Sequence, residues 1–309
     1  MTSHFERLAM RLSATYRVRS SLSSGTALDV YLADELKTGR RVVIHALSEA
    51  NANSTLAARF LAAITSAAQL DHPNIVSLQG LGTVDGLPYY ITPAIDGVSL
   101  RTRLNAAASL PLYEVLYIAS EVGAALDYAH RRRVLHRDIR PEKVILQNGR
   151  ALVVDFGLQP PPIAIEPARR GELGAGFGAA EYMSPEQVMG DTDVDGRSDV
   201  YSLACMVYEM IWGHPPFRGT RSLVLNRQLS AEPMPLGCRL PGVPHAVSAA
   251  VARALAKEPA HRFANAGAFA AALRDACDSM EAYRPSAAST AERLIERPAY
   301  SVFQARQSA

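Results

Sequence analysis

The stretch "VLHRDIRPEKVIL", residues 134–146, sets one carboxylate, Asp138, among the cations Arg137, Arg140 and Lys143. A second carboxylate, Asp155, follows in "VVDFG". A carboxylate can orient a hydroxyl or hold a divalent ion, and a guanidinium or ammonium can neutralise phosphate. An ammonium has no lone pair to give a metal and repels it. Lys143 therefore either pairs with Asp138 or Asp155, or swings out to solvent. Such side chains are scarce: of the 32 basic residues only Lys37, Lys143 and Lys257 are lysine.

These groups need elements to position them. Residues 16–47 alternate and carry β-branched side chains, with turn signals at Ser23–Gly25 and Lys37–Gly39. That predicts three antiparallel strands. Residues 53–70 are Ala-rich, with Leu56, Phe60, Leu61 and Ile64 at helical spacing, and predict a helix. "HPNIVSLQGLGTVDGLPYYITPAI" predicts two more strands around Asp85-Gly86. Helices follow at 111–132, 184–189, 198–212, 220–230, 245–256 and 265–279. Strands first and helices after imply an α+β chain of two lobes. The expected division is an extension at 1–15, a strand-rich lobe at 16–95, a helical lobe at 96–279 and a tail at 280–309, with one short helix near 290–297. Phe5, Leu8 and Leu12 share one helical face, which fits either a docking helix or a frayed end.

The composition is ordinary for a globular protein, at 48% hydrophobic, 20% charged and net charge +2. That balance gives no argument for nucleic acid or a membrane surface. Cys205, Cys238 and Cys277 are scattered and odd in number, so a reducing cytoplasm is expected. No signal peptide and no bilayer-spanning run is read from the sequence.

Several blocks, in order, resemble the protein kinase family: "VVIHAL", "HPNIV", "HRDIRPEKVIL", "VVDFG", "YMSPE", "SDVYSLACMVYEM", "HPPF" and "KEPAHRF". The likeness covers roughly residues 16–275, and the wording looks most like the bacterial serine/threonine branch. It implies a two-lobed fold, with a small five-stranded antiparallel sheet and one helix in the N-lobe and a mainly helical C-lobe. The family transfers phosphate from ATP, a reaction that rests on positioning and charge neutralisation.

Position by position, the resemblance is uneven. Asp138 stands at the catalytic-base position, and Arg140 replaces the lysine near the γ-phosphate. Lys143 replaces the metal-binding asparagine. Asp155 keeps its place, either as a single Mg2+ site or as a retained structural carboxylate. His45 falls on the strand lysine, and Ala63 on its helix glutamate partner. His45 is either a pH sensor or, as expected here, a half-buried ring with a structural hydrogen bond. Ser23, Gly25 and Leu28 fall on the phosphate-loop glycines, and Val30 follows them. Val43 would crowd the adenine slot. Thr92, Pro93 and Ile95 offer a usable adenine hinge, and Ile145 a floor position. No serine, threonine or tyrosine occurs from Phe156 to Glu181, and Ala179 replaces a family threonine. "QPPPIAIEP" there is either a binding edge or an exposed loop. The framework is kept: Glu186 and Arg262 as a buried ion pair, Asp199 bracing the catalytic loop, and His136, Phe156, Leu78 and Ala67 as stacked core positions.

Residues that hold the shape persist while those that hold phosphate are changed. The expectation is a pseudokinase, an interaction or scaffold module with impaired or absent phosphotransfer. ATP is expected to bind weakly if at all, Mg2+ is doubted, and a protein partner is implied. The alternatives are an atypical ATP-dependent serine/threonine kinase and a nucleotide-sensing switch that does not cleave ATP.

Overall fold

Five short runs of alternating side chains build the antiparallel sheet expected in the first third of the chain. They are β1 (Tyr16–Ser24), β2 (Leu28–Glu35), β3 (Arg41–Leu47), β4 (Gly80–Val84) and β5 (Leu87–Pro93), in the order β1-β2-β3-β5-β4. Asp85 and Gly86 join β4 to β5 with φ of 51° and 80°, the left-handed pair that closes a tight hairpin. The computed structural model describes residues 4–24, 28–49, 54–158, 180–238, 240 and 242–278. The expected tail helix, Gly25, Ala179 and "QPPPIAIEP" lie outside them.

The chain divides into two units. The first reaches His72 and adds Val76–Ile95, Gly157 and Leu158; the second takes Pro73–Ile75, Asp96–Phe156 and the described residues from 180 onward.

In the first unit the period-two pattern sorts the sheet into two faces. One face carries Tyr31, Ala33, Val42, Ile44, Ala46 and Ile91. It is covered by α1 (His4–Leu12), whose Leu8 is fully buried and whose Phe5 ring lies 5.4 Å from Tyr31. Arg7 pins this helix to Glu49 and, through Nε at 3.2 Å, to Asp85. Of the two readings of the N-terminal segment, the docked helix is the one observed. Leu8→Ala is expected to destabilise the fold by about 3 kcal/mol, the usual cost of an unfilled core cavity, read from its urea midpoint. On the other side α2 (Ser54–Ala67) sets Phe60, Ile64 and Ala67 against Leu47, Tyr90 and Leu158.

The second unit is mostly helical. A small sheet of β6 (Val98–Ser99), β7 (Val144–Gln147) and β8 (Arg150–Val153) precedes and follows α3 (Leu100–Ala107) and α4 (Leu112–Arg131). Then come α5 (Pro185–Met189), α6 (Gly196–Trp212), α7 (Arg221–Ser230), α8 (His245–Ala254) and α9 (Ala266–Asp278). From α4 on, these match the expected helices to within two residues at each end. α6 is buried on all sides from Ser198 to Ile211, with Ser198, Asp199, Ser202 and Glu209 among its buried residues. No helix among the described residues is long and apolar enough to cross a membrane.

Candidate active site

The segment around Asp138 lies in the second unit and is held by its own backbone. Arg137 adopts φ 66° and Asp155 φ 62°, both in the left-handed region that non-glycine residues rarely occupy. Asp199, on the first turn of α6, secures the first of these turns. Its Oδ2 accepts from the His136 amide and its Oδ1 from the Arg137 amide, each at 2.8 Å. His130 Nε2 meets the same Oδ2 at 2.7 Å. Burial works against the charge on both partners. Their attraction outweighs it, holding His130 above its ordinary pKa and Asp199 below. His136 is buried, which lowers its pKa. Its Nδ1 accepts from the Asp138 amide at 3.2 Å, so its Nε2 donates to the Val154 carbonyl at 2.9 Å. Those two bonds fix a neutral ring. Its edge contacts Phe156, with centroids 4.7 Å apart.

Lys143 ends the short turn Pro141–Lys143 and leads into β7. Its amide donates to the Arg140 carbonyl, and its own carbonyl accepts from Val154. The backbone bond to Val154 brings its side chain beside the next residue, Asp155. Nζ lies 2.6 Å from Asp155 Oδ2 and 4.0 Å from Asp138 Oδ2. Burial pulls the ammonium's pKa down, but Asp155 and Asp138 outweigh it, and the net shift is upward. Lys143 is thus a fixed cation. Arg140 Nε stands 3.0 Å from Asp138 Oδ1, without the alignment of a hydrogen bond. Two carboxylates face two cations, so the cluster's own charges cancel.

A Mg2+ ion does not fit this arrangement. Asp155 already spends an oxygen on the ammonium, and an ammonium has no lone pair to offer a metal and repels it. Of the two fates open to Lys143, the structure holds the ion pair.

The first unit has its own departures. His45 sits on β3 opposite Val30 on β2 and Tyr90 on β5. Its ring stacks on Tyr90 with centroids 4.4 Å apart and planes 2° from parallel. Its Nε2 is 3.4 Å from Thr92 Oγ1. Ala63 is a half-buried methyl on α2 and brings no carboxylate. Leu28 packs against the cluster of Leu47, Phe60 and Tyr90. Val30 and Val43 are half-buried on the His45 face, and Thr92 is buried. Pro93 ends β5 opposite Val42, and Ile95 follows it, half-buried. Ile145 belongs to the second unit, on β7 between Ser99 and Leu152.

Two further groups complete the second unit. Arg262 uses all five of its N–H bonds. Nη1 and Nη2 reach Glu186 at 2.6 and 2.8 Å, and Ala256, Arg197 and Lys257 supply carbonyls. The other group was not anticipated. Arg101 on α3 donates to Glu142 and Glu209, each at 2.7 Å, and to the Tyr182 hydroxyl at 2.6 Å. It ties the catalytic turn to "YMSPE" and to α6. Burial alone would raise Glu142, yet Arg101 holds it below the usual carboxylate range. The one sequence signal was Glu209, an acid among the mostly apolar residues that follow Asp199 on α6.

Residues 16–296 match the family profile "Protein kinase domain". The chain belongs to the protein kinase family. Among similar kinases, serine/threonine-protein kinase PknB of Mycobacterium leprae is 32% identical over 269 residues, covering 85% of this chain and 43% of that protein. PrkC of Bacillus subtilis is 30% identical over 275 residues, covering 88% and 42%. PknB of Mycolicibacterium smegmatis is 33% identical over 293 residues, covering 91% and 46%. The chain spans less than half the length of these curated relatives. The resemblance read from the motifs is therefore correct as to family and bacterial branch.

Proposed function

We propose that this kinase domain is a pseudokinase, a module that works through protein contact and transfers little or no phosphate. The observation that carries this is the Lys143–Asp155 pair at 2.6 Å, which puts an ammonium where the family binds a metal ion. The first unit supports it separately, because His45 is committed to Tyr90 and Thr92 and Ala63 offers no acid. On this reading the protein works in the cytoplasm with a protein partner, and residues 16–95 and 96–279 serve as its two lobes.

A thermal-shift titration with ATP, with and without Mg2+, tests it. A ligand at a hundred times its Kd adds about 2.7 kcal/mol of stability. The expected result is a flat response to millimolar Mg·ATP, with no transfer of labelled phosphate to generic acceptors. Turnover abolished by Asp138→Asn would overturn the assignment.

A second reading has the relatives behind it: all three are named serine/threonine-protein kinases. Asp138 and Arg140 remain in place beside each other, so an atypical ATP-dependent kinase using Arg140 and Lys143 as its cations is the rival. It predicts Mg·ATP binding and loss of activity in Lys143→Ala. A metal-free nucleotide sensor would respond to ATP alone and show no turnover.

A further inference from the structure

The nine residues of α1 are too few for a helix that is stable in water by itself, so its seat on the sheet holds its shape. That seat is a groove with an apolar floor and an acidic rim. Leu8 packs against Tyr31, Ala33 and Ile44 of the floor and is the one fully buried side chain among those described on the helix. Phe5 and Leu12, three positions before and four after it, are half-buried. Glu49 and Asp85 form the rim. Arg7 binds both, with Nε 3.2 Å from Asp85 Oδ2, and Arg11 Nη2 lies 3.8 Å from Asp85 Oδ1. Both acids are exposed, so these pairs are weak and salt-sensitive. The turn that joins α1 to β1, Ser13-Ala14-Thr15, is exposed as well. One apolar anchor and a set of surface ion pairs thus hold the helix in its groove.

We propose that this groove is the protein's partner-docking surface and that α1 occupies it as an internal competitor. The partner it takes is a short amphipathic helix of another protein, apolar at i, i+3 and i+7 and basic at i+2 and i+6. Phe5, Leu8 and Leu12 set the first pattern, and Arg7 and Arg11 set the second. This rests on the reading of the chain as a module that works through protein contact, and it gives that contact a place and a chemistry. An amphipathic helix laid in an apolar groove is a recurring mode of recognition, with affinity from the anchors. The acidic rim supplies selectivity, because an acidic helix would meet Glu49 and Asp85 as like charges. The floor lies on the face of β3 that carries Val42, Ile44 and Ala46, opposite the face of His45. A docked partner therefore leaves the His45 side of the sheet as it is.

The probe is a fluorescent peptide of residues 4–15, and its binding to the full chain is followed by polarisation at low salt. Arg7→Glu in the chain turns the resident helix against Glu49 and Asp85 while Leu8 and the floor stay as they are, and its urea midpoint checks that it folds. The Arg7→Glu chain is expected to bind the peptide at least about tenfold more tightly than the natural chain, because the competitor for the groove is weakened. A Leu8→Asp peptide should not bind. The Glu49→Arg chain should shift its preference from the natural peptide toward an Arg7→Glu peptide, a reversal that a loosened fold would not give. Equal binding by the natural and Arg7→Glu chains, no binding by either, or equal binding of the Leu8→Asp peptide overturns the proposal. Self-association of the Arg7→Glu chain in place of peptide binding, seen by sedimentation, would assign the groove to a second copy and overturn it too. None of these measurements uses nucleotide, so their failure is separate from that of the ATP titration.

Discussion

Arg262→Ala is expected to cost about 3–5 kcal/mol of unfolding free energy, because it leaves Glu186 buried without its counter-ion. The pair is bidentate, and both side chains lie in the interior of the second unit. Ser198 also donates to Glu186, so one of its bonds would survive the change. The substitution orphans the Ala256, Arg197 and Lys257 carbonyls as well. Urea unfolding at constant m measures it, and a loss under about 1 kcal/mol would mean that water already reaches the pair. The pH dependence has a definite sign. Burial would raise Glu186, but Arg262 outweighs it and the folded pKa lies below the unfolded one. The pair's contribution is therefore complete above the unfolded value of about 4.3 and fades as pH falls through the folded value. The gap between the natural chain and Glu186→Gln should shrink on acidification in that window.

If Lys143 excludes metal as proposed, Lys143→Asn is expected to create a divalent-ion response and the natural chain to show none. The change removes the ammonium 2.6 Å from Asp155 Oδ2 and puts an amide oxygen on the same turn. Asp155 loses its nearest cation, which costs about 1–3 kcal/mol in the absence of metal. Mn2+ or Mg2+ at a hundred times its Kd would return about 2.7 kcal/mol. The signature is a variant less stable than the natural chain in chelator and recovered by the ion. An unchanged melting temperature on adding either ion, in variant and natural chain alike, would show that the ammonium is not what keeps metal away. Full phosphotransfer is not expected to return, because His45 in the first unit remains stacked on Tyr90.

Much of this was legible because the elements are long or strictly periodic. The helix from Leu112 to Arg131 and the strands around Asp85-Gly86 follow from spacing alone. The strand of two residues at Val98 has no period to detect, and α3 is an eight-residue helix with little periodic signal. Arg101 was missed for a different reason. Its acid partners lie 41 and 108 positions away, and only the folded chain brings them together. The setting of His45 needed the register of β3 against β5, which places Tyr90 opposite it. Lys143 was read with both of its fates open, because sequence shows the residue type but not the 2.6 Å to Asp155.

The N-terminal helix carries a lesson about where to cut. The stretch that matches the family begins at residue 16, yet Leu8, eight positions earlier, packs against Tyr31, Ala33 and Ile44 of the sheet. A recombinant fragment trimmed to the homology boundary would leave those oily side chains bare and invite self-association. Anyone preparing this domain for biophysics should keep the segment from His4 onward, since recognisable ancestry and autonomous folding do not share the same starting point.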